Sequence, residues 1–532
     1  MIFVQRILGD DRIRAEPAAA AELTRLCAHL PLALRIAAAN LTHHPHNGIA
    51  EYVNELHDGD RLGALAVDGD EQSAVRVAFD HSYARLPEEA RRMFRLVGLV
   101  PGADFTGDTA AALVASGVPH TQRLLDRLAA AHLIDQPAPG RYAFHDLLRL
   151  YATERAHRED SALDRRAALT RLLDHYRTGA VAAMDRAFPE ERPGRPGIPI
   201  AAARVVPVDP AAARAWLDAA RANLVAATGY AAEHGWPGHA CDLAATLWLY
   251  LTTGPHYTEA IAINTHALRA ARGTGERAAE GDALTNLGAV YWRTGRPKEA
   301  REYLERALVI RRESGDRDGE GWTLHHLASL SWNGGRYQQF HDRCRQALGI
   351  FRTVGDHLGV SKALNNLAMV HWRWGQCEEA LGHAEEALAI AREIGDRYTE
   401  TSALDTLGRL HAHAGRYTAA LDSGEQALAI ARVIEDRHLE ASALNSLGEV
   451  LAAAGQPEAA LPRHRSARTV AREADDRDEQ ARALAGLGQA LHATGHAAEA
   501  HQHWQEAFAI YTDLGVPDAD MVRARMSVHS RQ

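Results

Sequence analysis

The sequence predicts an almost entirely α-helical protein whose C-terminal half is an α-solenoid, a superhelix built from stacked helix pairs. Two observations support this prediction. One apolar pattern returns every 40 residues over residues 281–514, and helix-forming residues dominate a composition with only 6% aromatic residues. At 532 residues the chain is also expected to hold several domains, because single hydrophobic cores stop growing at roughly 250–300 residues.

The repeat keeps its spacing without slippage. Within one unit, apolar residues at helical spacing are followed by a glycine that suits a turn, and a second helix then begins. One such pair cannot bury its own apolar face, so the pairs are predicted to stack around a continuous core. The first leucine of each unit recurs at Leu284, Leu324, Leu364, Leu404, Leu444 and Leu484.

The signature of the first full unit is a leucine and a small residue, a tyrosine three positions after the small residue, a turn glycine, and then Glu-Ala and Ala-Leu pairs. In the first full unit these are Leu287, Gly288, Tyr291 and Gly295. The pattern resembles the tetratricopeptide repeat, whose usual length is about 34 residues. The 40-residue form is similar to the long repeats of kinesin light chains and bacterial peptide-sensing regulators. A weaker copy before residue 281 extends the predicted array to residues 241–514, about seven repeats, followed by a tail at 515–532.

Residues 1–80 resemble the end of an ATPase module. The stretch LPLAL at residues 30–34 is similar to the GLPLAL motif of NB-ARC domains, with His29 where glycine is usual. These are the signal-transduction ATPases of plant resistance proteins, apoptosome proteins and many actinobacterial regulators. The resemblance implies that Pro31 lies near a bound adenine. Taken alone, the stretch fits a helix–proline–helix corner equally well.

Residues 81–155 resemble the winged-helix subdomain that follows in NB-ARC proteins. Short helices precede a predicted β-hairpin at 133–136 and 141–144, and FHD at 144–146 occupies the place of the family's MHD motif. In that family the histidine approaches the β-phosphate of ADP. The resemblance therefore implies a nucleotide-sensing remnant formed by Pro31, His145 and Asp146.

The nucleotide-binding core of that family is missing from the sequence. No G-x-x-x-x-G-K-[ST] loop occurs, and the two lysines, Lys298 and Lys362, both lie in the repeats. A Walker B strand has no room before Met1. We therefore expect an NB-ARC regulator without its P-loop core, through truncation or a late start codon, that does not hydrolyse ATP. A nucleotide-responsive regulator whose P-loop comes from another polypeptide stays open.

The charge of the sequence bears on two further classes of function: general binding to nucleic acids or membrane surfaces, and DNA binding through one helix. The net charge of −10 argues against a general nucleic-acid or membrane-surface binder. DNA binding through a recognition helix at 120–131, with Arg123 and Arg127 one turn apart, is an alternative hypothesis. An intramolecular regulatory role is favoured for this subdomain, because no dense basic patch surrounds the helix.

The remaining features predict a cytoplasmic protein without catalytic chemistry. The four cysteines lie far apart and without metal-ligand spacing, so neither a metal nor a cofactor is expected. No apolar run is long enough to span a membrane. No nucleophile–base pair or carboxylate dyad occurs in a suitable context, so the protein is not expected to be an enzyme. Residues 156–240 are predicted to form a helical linker with a Pro/Gly-rich loop at 188–199.

The first helix of each repeat is expected to line the concave face, which predicts a groove for an extended peptide or protein segment. Asparagine offers a donor and an acceptor to a peptide backbone, and tryptophan offers apolar area with one polar tip. Solvation of the asparagines and packing of the tryptophans are the alternatives. The favoured function is a regulatory or scaffold protein in transcriptional or signalling control, with self-association left open. The predicted binding residues are Asn286, Trp292, Arg293, His325, Trp332, Lys362, Asn365, Asn366, Trp372, Arg373, Arg409 and Asn445.

Overall fold

A computed structural model of the chain describes residues 10–27, 31–43, 48–58, 75–189, 197–198, 208–254 and 256–529. Two compact units are present: residues 1–187 with 197–239, and residues 188–196 with 240–532. The secondary structure is mainly helical, as predicted. The elements up to residue 233 are α1 (Asp10–Ala15), α2 (Pro17–Leu26), α3 (Pro31–His43), α4 (Ile49–Asp58), α5 (Val75–Ala84), α6 (Glu88–Val97), β1 (Asp104–Thr106), α7 (Gly107–Val114), α8 (Val118–Ala130), β2 (Asp135–Ala138), β3 (Arg141–Ala143), α9 (Asp146–Glu159), α10 (Ala162–Ala187) and α11 (Pro210–Glu233).

The three strands of the first unit form one small antiparallel sheet in the order β1-β3-β2. Helices α6 to α9 surround it. Phe105 and Tyr142 lie opposite each other on β1 and β3, and both are fully buried. The hairpin predicted at 133–136 and 141–144 is present, although its first strand begins two residues later, at Asp135.

Arg95 connects α6 to the end of α9. Its side chain is 5% exposed, and its guanidinium donates to Glu159 at 2.7 Å and to Asp160 at 2.8 Å. It also donates to the hydroxyl of Tyr83 on α5 at 2.6 Å. Because the carboxylates of Glu159 and Asp160 pair with the Arg95 guanidinium, they offset the desolvation cost of burying this cation.

The long helices α10 and α11 pack closely together in the first unit. A Cβ at Gly179 would lie 3.0 Å from the ring of Trp216, so only glycine lets the indole approach this closely. The predicted Pro/Gly loop between the two helices lies largely outside the described residues, as do residues 28–30, which include the first residue of the LPLAL stretch.

The second unit is an array of seven helix pairs followed by a last helix, all within the described residues. The first members of the pairs, with their partners, are α12 (Pro237–Thr253) and α13 (Tyr257–Thr274), α14 (Arg277–Arg293) and α15 (Pro297–Ser314), α16 (Arg317–Asn333) and α17 (Tyr337–Val354), α18 (His357–Arg373) and α19 (Cys377–Ile394), α20 (Arg397–His413) and α21 (Tyr417–Val433), α22 (Arg437–Ala453) and α23 (Pro457–Glu473), and α24 (Arg477–Ala493) and α25 (Ala497–Leu514); the last helix is α26 (Asp518–His529). We number these pairs repeats 1 to 7.

Each turn of the array follows from the residues that the sequence places there. The turn inside a repeat contains a glycine in the left-handed region, for example Gly295 at φ +70° and Gly375 at φ +75°. The first helix of the next repeat begins at an aspartate whose carboxylate accepts a backbone N–H of the first turn. These N-cap residues are Asp316, Asp356, Asp396, Asp436 and Asp476.

Small residues let the two helices of a repeat approach closely. A Cβ at Gly288 would lie 2.5 Å from Leu304, and a Cβ at Gly448 would lie 2.5 Å from His464. The leucine registers of the first helices and the alanines of the second helices are buried, and they form the core clusters of the solenoid. The predicted α-solenoid is therefore confirmed in the C-terminal region.

Candidate functional site

The first helices of the repeats face a common interior, which we call the lumen. Its surface is formed by one register of the first helices, with Asp282, Trp322, Lys362, Ser402, Ser442 and Arg482 at intervals of 40 residues. Arg293 of repeat 2 is close to Tyr257 of repeat 1 and to Tyr398 of repeat 5. Burial lowers the pKa of Arg293, Tyr398, Tyr257 and Asp436 raise it, and the net shift of the pKa is upward. Repeats distant in sequence therefore contribute to one surface.

Four predicted binding residues are cations on or beside the lumen, and they form no ion pair within the described residues. Three of these cations lie over aromatic rings. The Lys362 Nζ is 5.4 Å from the ring centroids of both Trp322 and Tyr398. Cations at this distance are attracted by the ring quadrupole. The guanidinium carbons of Arg373 and Arg409 are 4.4 Å and 4.3 Å from the rings of Tyr337 and Trp372, respectively. The fourth is Arg293, which is exposed and donates to the carbonyl of Thr252 at 3.3 Å.

The lumen of repeats 5 to 7 instead carries a paired charge network. The Arg482 guanidinium donates to both carboxylate oxygens of Glu449 at 2.8 Å and to the Ser446 hydroxyl at 2.8 Å. Burial raises the pKa of Glu449, but Arg482 and Arg409 together lower it to about 2. Arg482 was not among the predicted residues, although its position in the register of Lys362 would have identified it.

Asp405 adds a second carboxylate to this region. Burial raises its pKa, against the opposing effect of Arg482 and Arg409. Its Oδ1 has no hydrogen-bond partner among the described residues. The far end of the lumen therefore holds both signs of charge.

The predicted row of asparagines is only partly on the lumen surface. Asn445 is fully buried, donates to the carbonyl and carboxylate of Glu479 at 3.0 and 2.8 Å, and bonds to His464 at 3.1 Å. Asn365 is 7% exposed and accepts from Thr406 at 3.0 Å. Both side chains are engaged between neighbouring helices, which places them in the interior and corrects the expectation that they face a ligand.

Asn286 and Asn366 are half-buried, at positions equivalent to each other in repeats 2 and 4. Asn286 donates to Asn264 at 3.1 Å. Asn366 lies 3.5 Å from the ring nitrogen of His325, at the limit of hydrogen bonding. The Asn366 side chain also interacts with the thiol of Cys344, so both half-buried asparagines have a side-chain partner.

The three period-40 tryptophans pack against neighbouring helices. Trp332 contacts Tyr337 and Phe340 with ring centroids 5.2 and 5.0 Å apart. Trp292 and Trp372 pack against the core clusters of their own repeats. Packing between helices accounts for the positions of all three tryptophans. The ring of Trp372 also lies against the guanidinium of Arg409.

The two adjacent histidines of repeat 3 lie beside the cations. His325 contacts the Trp322 ring edge-on at 5.8 Å and the His326 ring at 5.6 Å. Burial and the nearby Lys362 lower the pKa of His325 to about 4, and the pKa of His326 is also lowered, mainly by burial. Both rings are therefore neutral at pH 7. No group of three or more His, Cys, Asp and Glu side chains in the described ranges is arranged to hold a metal ion.

The predicted nucleotide-sensing residues lie in the first unit. Pro31 begins α3, but its side chain is outside the described set. His145 is the N-cap residue of α9, and its Nε2 lies 2.8 Å from the Asp135 carboxylate on β2. Asp146 follows as the first, exposed residue of α9.

The predicted recognition helix at 120–131 corresponds to α8. Arg123 and Arg127 are exposed on it, with the exposed carboxylate of Asp126 next to Arg127. Arg127 also lines an open pocket between α5 and α8 together with Arg85 and His132.

Comparison with known proteins identifies the repeats. Residues 249–313, 280–353, 319–393, 398–473 and 439–513 match the tetratricopeptide repeat family. The chain is 32% identical over 315 residues to the regulatory protein AfsR of Streptomyces griseus, an alignment that covers 57% of this chain and 31% of that protein. It is 38% identical over 193 residues to AfsR of Streptomyces coelicolor, covering 36% of this chain and 19% of that protein. The chain thus spans a third or less of these relatives.

A solved structure extends the likeness of fold. It is the signal transduction ATPase with numerous domains (STAND) from Pyrococcus horikoshii, which has a tetratricopeptide repeat sensor. The TM-score is 0.56 at 15% sequence identity, and the match covers 94% of this chain and 72% of that one. The prediction of tetratricopeptide repeats is therefore confirmed, and the similarity to regulatory proteins is established. The NB-ARC and winged-helix assignments stay predictions.

Proposed function

We propose that this chain is a regulatory protein that captures an extended peptide or protein segment in the lumen of its tetratricopeptide superhelix. One observation carries the proposal: cations that form no ion pair with a described residue, aromatic rings and half-buried asparagines from several repeats lie on the same surface. An extended ligand has backbone groups and side chains at regular intervals, and such a surface is able to bind both. The similarity to AfsR regulatory proteins supports a role in transcriptional or signalling control.

Binding is proposed to act through a change in population rather than through chemistry. Arg293 of repeat 2 and Tyr398 of repeat 5 are already neighbours, so a ligand between them contacts repeats that are far apart in sequence. A ligand with more contacts in a tight superhelix than in an open one shifts the equilibrium toward the tight form. The proposed role needs no catalytic group, and it is compatible with a cytoplasmic location. No helix in the described part of the chain is both long and apolar enough to cross a membrane.

We further propose that residues 81–155 form a winged-helix subdomain of NB-ARC type. The helices α6 to α9 and the sheet order β1-β3-β2 support this assignment. The fold similarity to the STAND protein supports it as well. The Asp135 carboxylate, 2.8 Å from the Nε2 of His145, gives this histidine a partner that does not depend on nucleotide.

DNA binding is the second candidate, because α8 exposes Arg123 and Arg127 at a spacing of one turn. A specific complex requires arginines that reach base edges or phosphates, and its affinity falls steeply as salt increases. A salt-dependent mobility shift of duplex DNA that is lost in the Arg123→Gln, Arg127→Gln double variant would support this candidate over an internal regulatory role.

The proposed peptide capture is tested with the full chain immobilised and incubated with a random-sequence peptide pool, whose retained members are identified by mass spectrometry. Two variants act on the lumen: Asn366→Ala removes a polar contact, and Ser402→Trp fills space at a half-buried lumen position. Glu302→Ala is the matched control, since Glu302 is an exposed residue of a second helix. We expect retention by the wild type and the control and a reduced amount on both lumen variants. Equal retention by all four proteins, or none by the wild type, would contradict the proposal.

A further inference from the structure

The chain just before the last helix, α26, meets the turn inside repeat 3. A Cβ at Gly335 of this turn would lie 3.2 Å from the Cγ of Pro517, the residue that precedes α26. The turn glycine of repeat 3 therefore faces a second, distant segment of the chain. The glycines at the same turn of the other repeats have no atom within 4 Å of such a Cβ among the described residues; they are Gly295, Gly375, Gly415, Gly455 and Gly495.

The charge of Asp518, the first residue of α26, is felt on both sides of this contact. Burial raises the pKa of Tyr337 in repeat 3, the Arg373 guanidinium lowers it, and the Asp518 carboxylate raises it. In repeat 7, burial and neighbouring carboxylates, including that of Asp518, raise the pKa of Asp478 to about 7. Asp518 therefore lies between repeat 3 and repeat 7.

The attachment of α26 to repeat 7 is apolar and buried. Ala519 and Val522 of α26 belong to the core cluster that contains Trp504 and Tyr511 of α25. The guanidinium carbon of Arg523 also lies 5.1 Å from the ring centroid of Phe508. This helix is therefore an integral part of the end of the array.

The contact of the same segment with repeat 3 is much smaller. Pro517 is exposed and Asp518 is half-buried, and they lie beside the half-buried Gly335 and Tyr337. Regions with few buried apolar contacts open at a lower free energy than the core. The contact with repeat 3 is therefore expected to open first, while α26 stays on repeat 7.

This contact joins the two ends of one stretch of the array. Stacked repeats pack on their neighbours, so the ends of such a stretch are otherwise free to move apart. Here repeat 3 and the helix that follows repeat 7 are held together. The stretch carries most of the lumen register, namely Trp322, Lys362, Ser402, Ser442 and Arg482.

We propose that Pro517 and Asp518, seated on the repeat 3 turn, form a latch that controls entry of the captured peptide into the lumen. This inference rests on the proposed function and names a regulation of that same site. The closed latch keeps repeats 3 to 7 from spreading, and its opening admits or releases an extended segment. A latch of this kind slows both association and dissociation, whereas a residue that only contacts the ligand acts mainly on dissociation.

Two variants open the latch, and each has a matched control. Gly335→Asn places a side chain against Pro517, and Gly375→Asn puts the same residue in an equivalent turn with open space around it. Asparagine tolerates the left-handed backbone that both turns share.

The second variant acts through charge. Asp518→Lys brings a cation toward Arg373, whose guanidinium lies 4.4 Å from the Tyr337 ring. Its control is Asp520→Lys, because Asp520 is the other acidic residue in the first turn of α26 and is exposed.

Pulsed electron paramagnetic resonance measures the latch without any ligand. Spin-labelled unnatural amino acids replace Gln339 on α17 and Met521 on α26, both of which are exposed. We expect one narrow distance distribution in the otherwise unchanged chain and in the two controls. In Gly335→Asn and Asp518→Lys the distribution should become longer and broader. The same distribution in all five proteins would overturn the latch.

Stopped-flow fluorescence then tests the control of entry, with a labelled peptide from the set that the wild type retains. In Gly335→Asn and Asp518→Lys, both association and dissociation should be faster, each by about tenfold, which corresponds to about 1.4 kcal/mol. Rates in these variants equal to those of the controls would contradict the latch and leave peptide capture intact. Retention of no peptide by the wild type would instead contradict peptide capture, and the proposed control of entry with it.

Discussion

His464 fills the space that two glycines leave open between repeats 6 and 7. Its ring is 1% exposed, and a Cβ at Gly448 or Gly486 would lie 2.5 or 2.3 Å from it. Its Nδ1 bonds to Asn445 at 3.1 Å. Gly448 belongs to the periodic small-residue positions of the sequence, but Gly486 and the polar residue that occupies the space do not follow from that period, since a pattern of apolar residues carries no information about a buried hydrogen bond.

The buried position of His464 makes the stability of the array depend on pH. Burial lowers the pKa of His464 from 6.5 to about 4 in the folded protein. Because the folded pKa is below the unfolded pKa, this contribution to stability is complete above pH 6.5 and is lost as the pH falls toward 4. We expect His464 to account for a loss of about 2–3 kcal/mol over this range.

The measurement is urea unfolding of the wild type and of His464→Gln, above pH 6.5 and near pH 4. The variant retains a polar group but has no ionisable ring, so its stability should fall less on acidification. Equal losses in the two proteins would show that His464 is not responsible.

At the scale of helices and turns, the sequence predicts most of the repeat array. Leucine registers, turn glycines and N-cap aspartates recur at one period, and each has a local cause in helix packing or capping. The hairpin of the first unit was found as well, but its first strand is displaced by two residues because burial patterns specify strand edges weakly. The ion network of Arg95, Glu159 and Asp160 joins residues more than 60 positions apart, and nothing local in the sequence indicates it.

In two turns between repeats, a residue other than glycine occupies the left-handed position, and this has an energetic cost. Gly315, Gly355 and Gly395 end their helices in the left-handed region, whereas Glu435 and Asp475 do so at φ +57° and +54°. A residue with a Cβ is destabilised by about 1–2 kcal/mol in this region. Glycine avoids this cost but loses more conformational entropy on folding, so its net advantage is smaller.

Asp475→Gly is therefore expected to stabilise the array by about 0.5–1 kcal/mol. The reverse change at the equivalent turn, Gly395→Ala, should destabilise it by a similar amount. Thermal unfolding followed by circular dichroism compares the two variants with the wild type. A lower midpoint for Asp475→Gly would show that the aspartate makes a favourable contact that outweighs its backbone strain.

At the scale of the whole molecule, the sequence predicts the solenoid but not which residues meet in the lumen. The solenoid follows from the 40-residue period, and its tetratricopeptide character follows from the resemblance of the residue signature within the repeat. The lumen does not, because the residues that meet there come from repeats as far apart as Arg293 and Tyr398, and their meeting depends on the curvature of the superhelix. Lys362, Arg373 and Arg409 are first-helix residues whose binding role stays a prediction, whereas Asn365 and Asn445 on the same kind of helix are buried between helices.

The energetics of the array suit a ligand-dependent change of shape. Each repeat contacts mainly its neighbours, so stability is distributed along the solenoid rather than concentrated in one core. Under the proposed function, small changes at each interface would add up to a change in the width of the lumen, and a peptide that spans several repeats would bias all of them together.

The central claim is that the ligand binds inside the superhelix, and site-specific photo-crosslinking tests it most directly. A photoreactive amino acid is introduced in the full chain at Ser402 or Ser442 on the lumen, and at Glu302 or Glu385 on the second helices. Each protein is irradiated with the peptides that the wild type retains. The account predicts covalent peptide adducts from the two lumen positions and none above background from the two glutamate positions. Adducts from Glu302 or Glu385 without adducts from Ser402 or Ser442 would place the ligand on the outer surface and contradict the account.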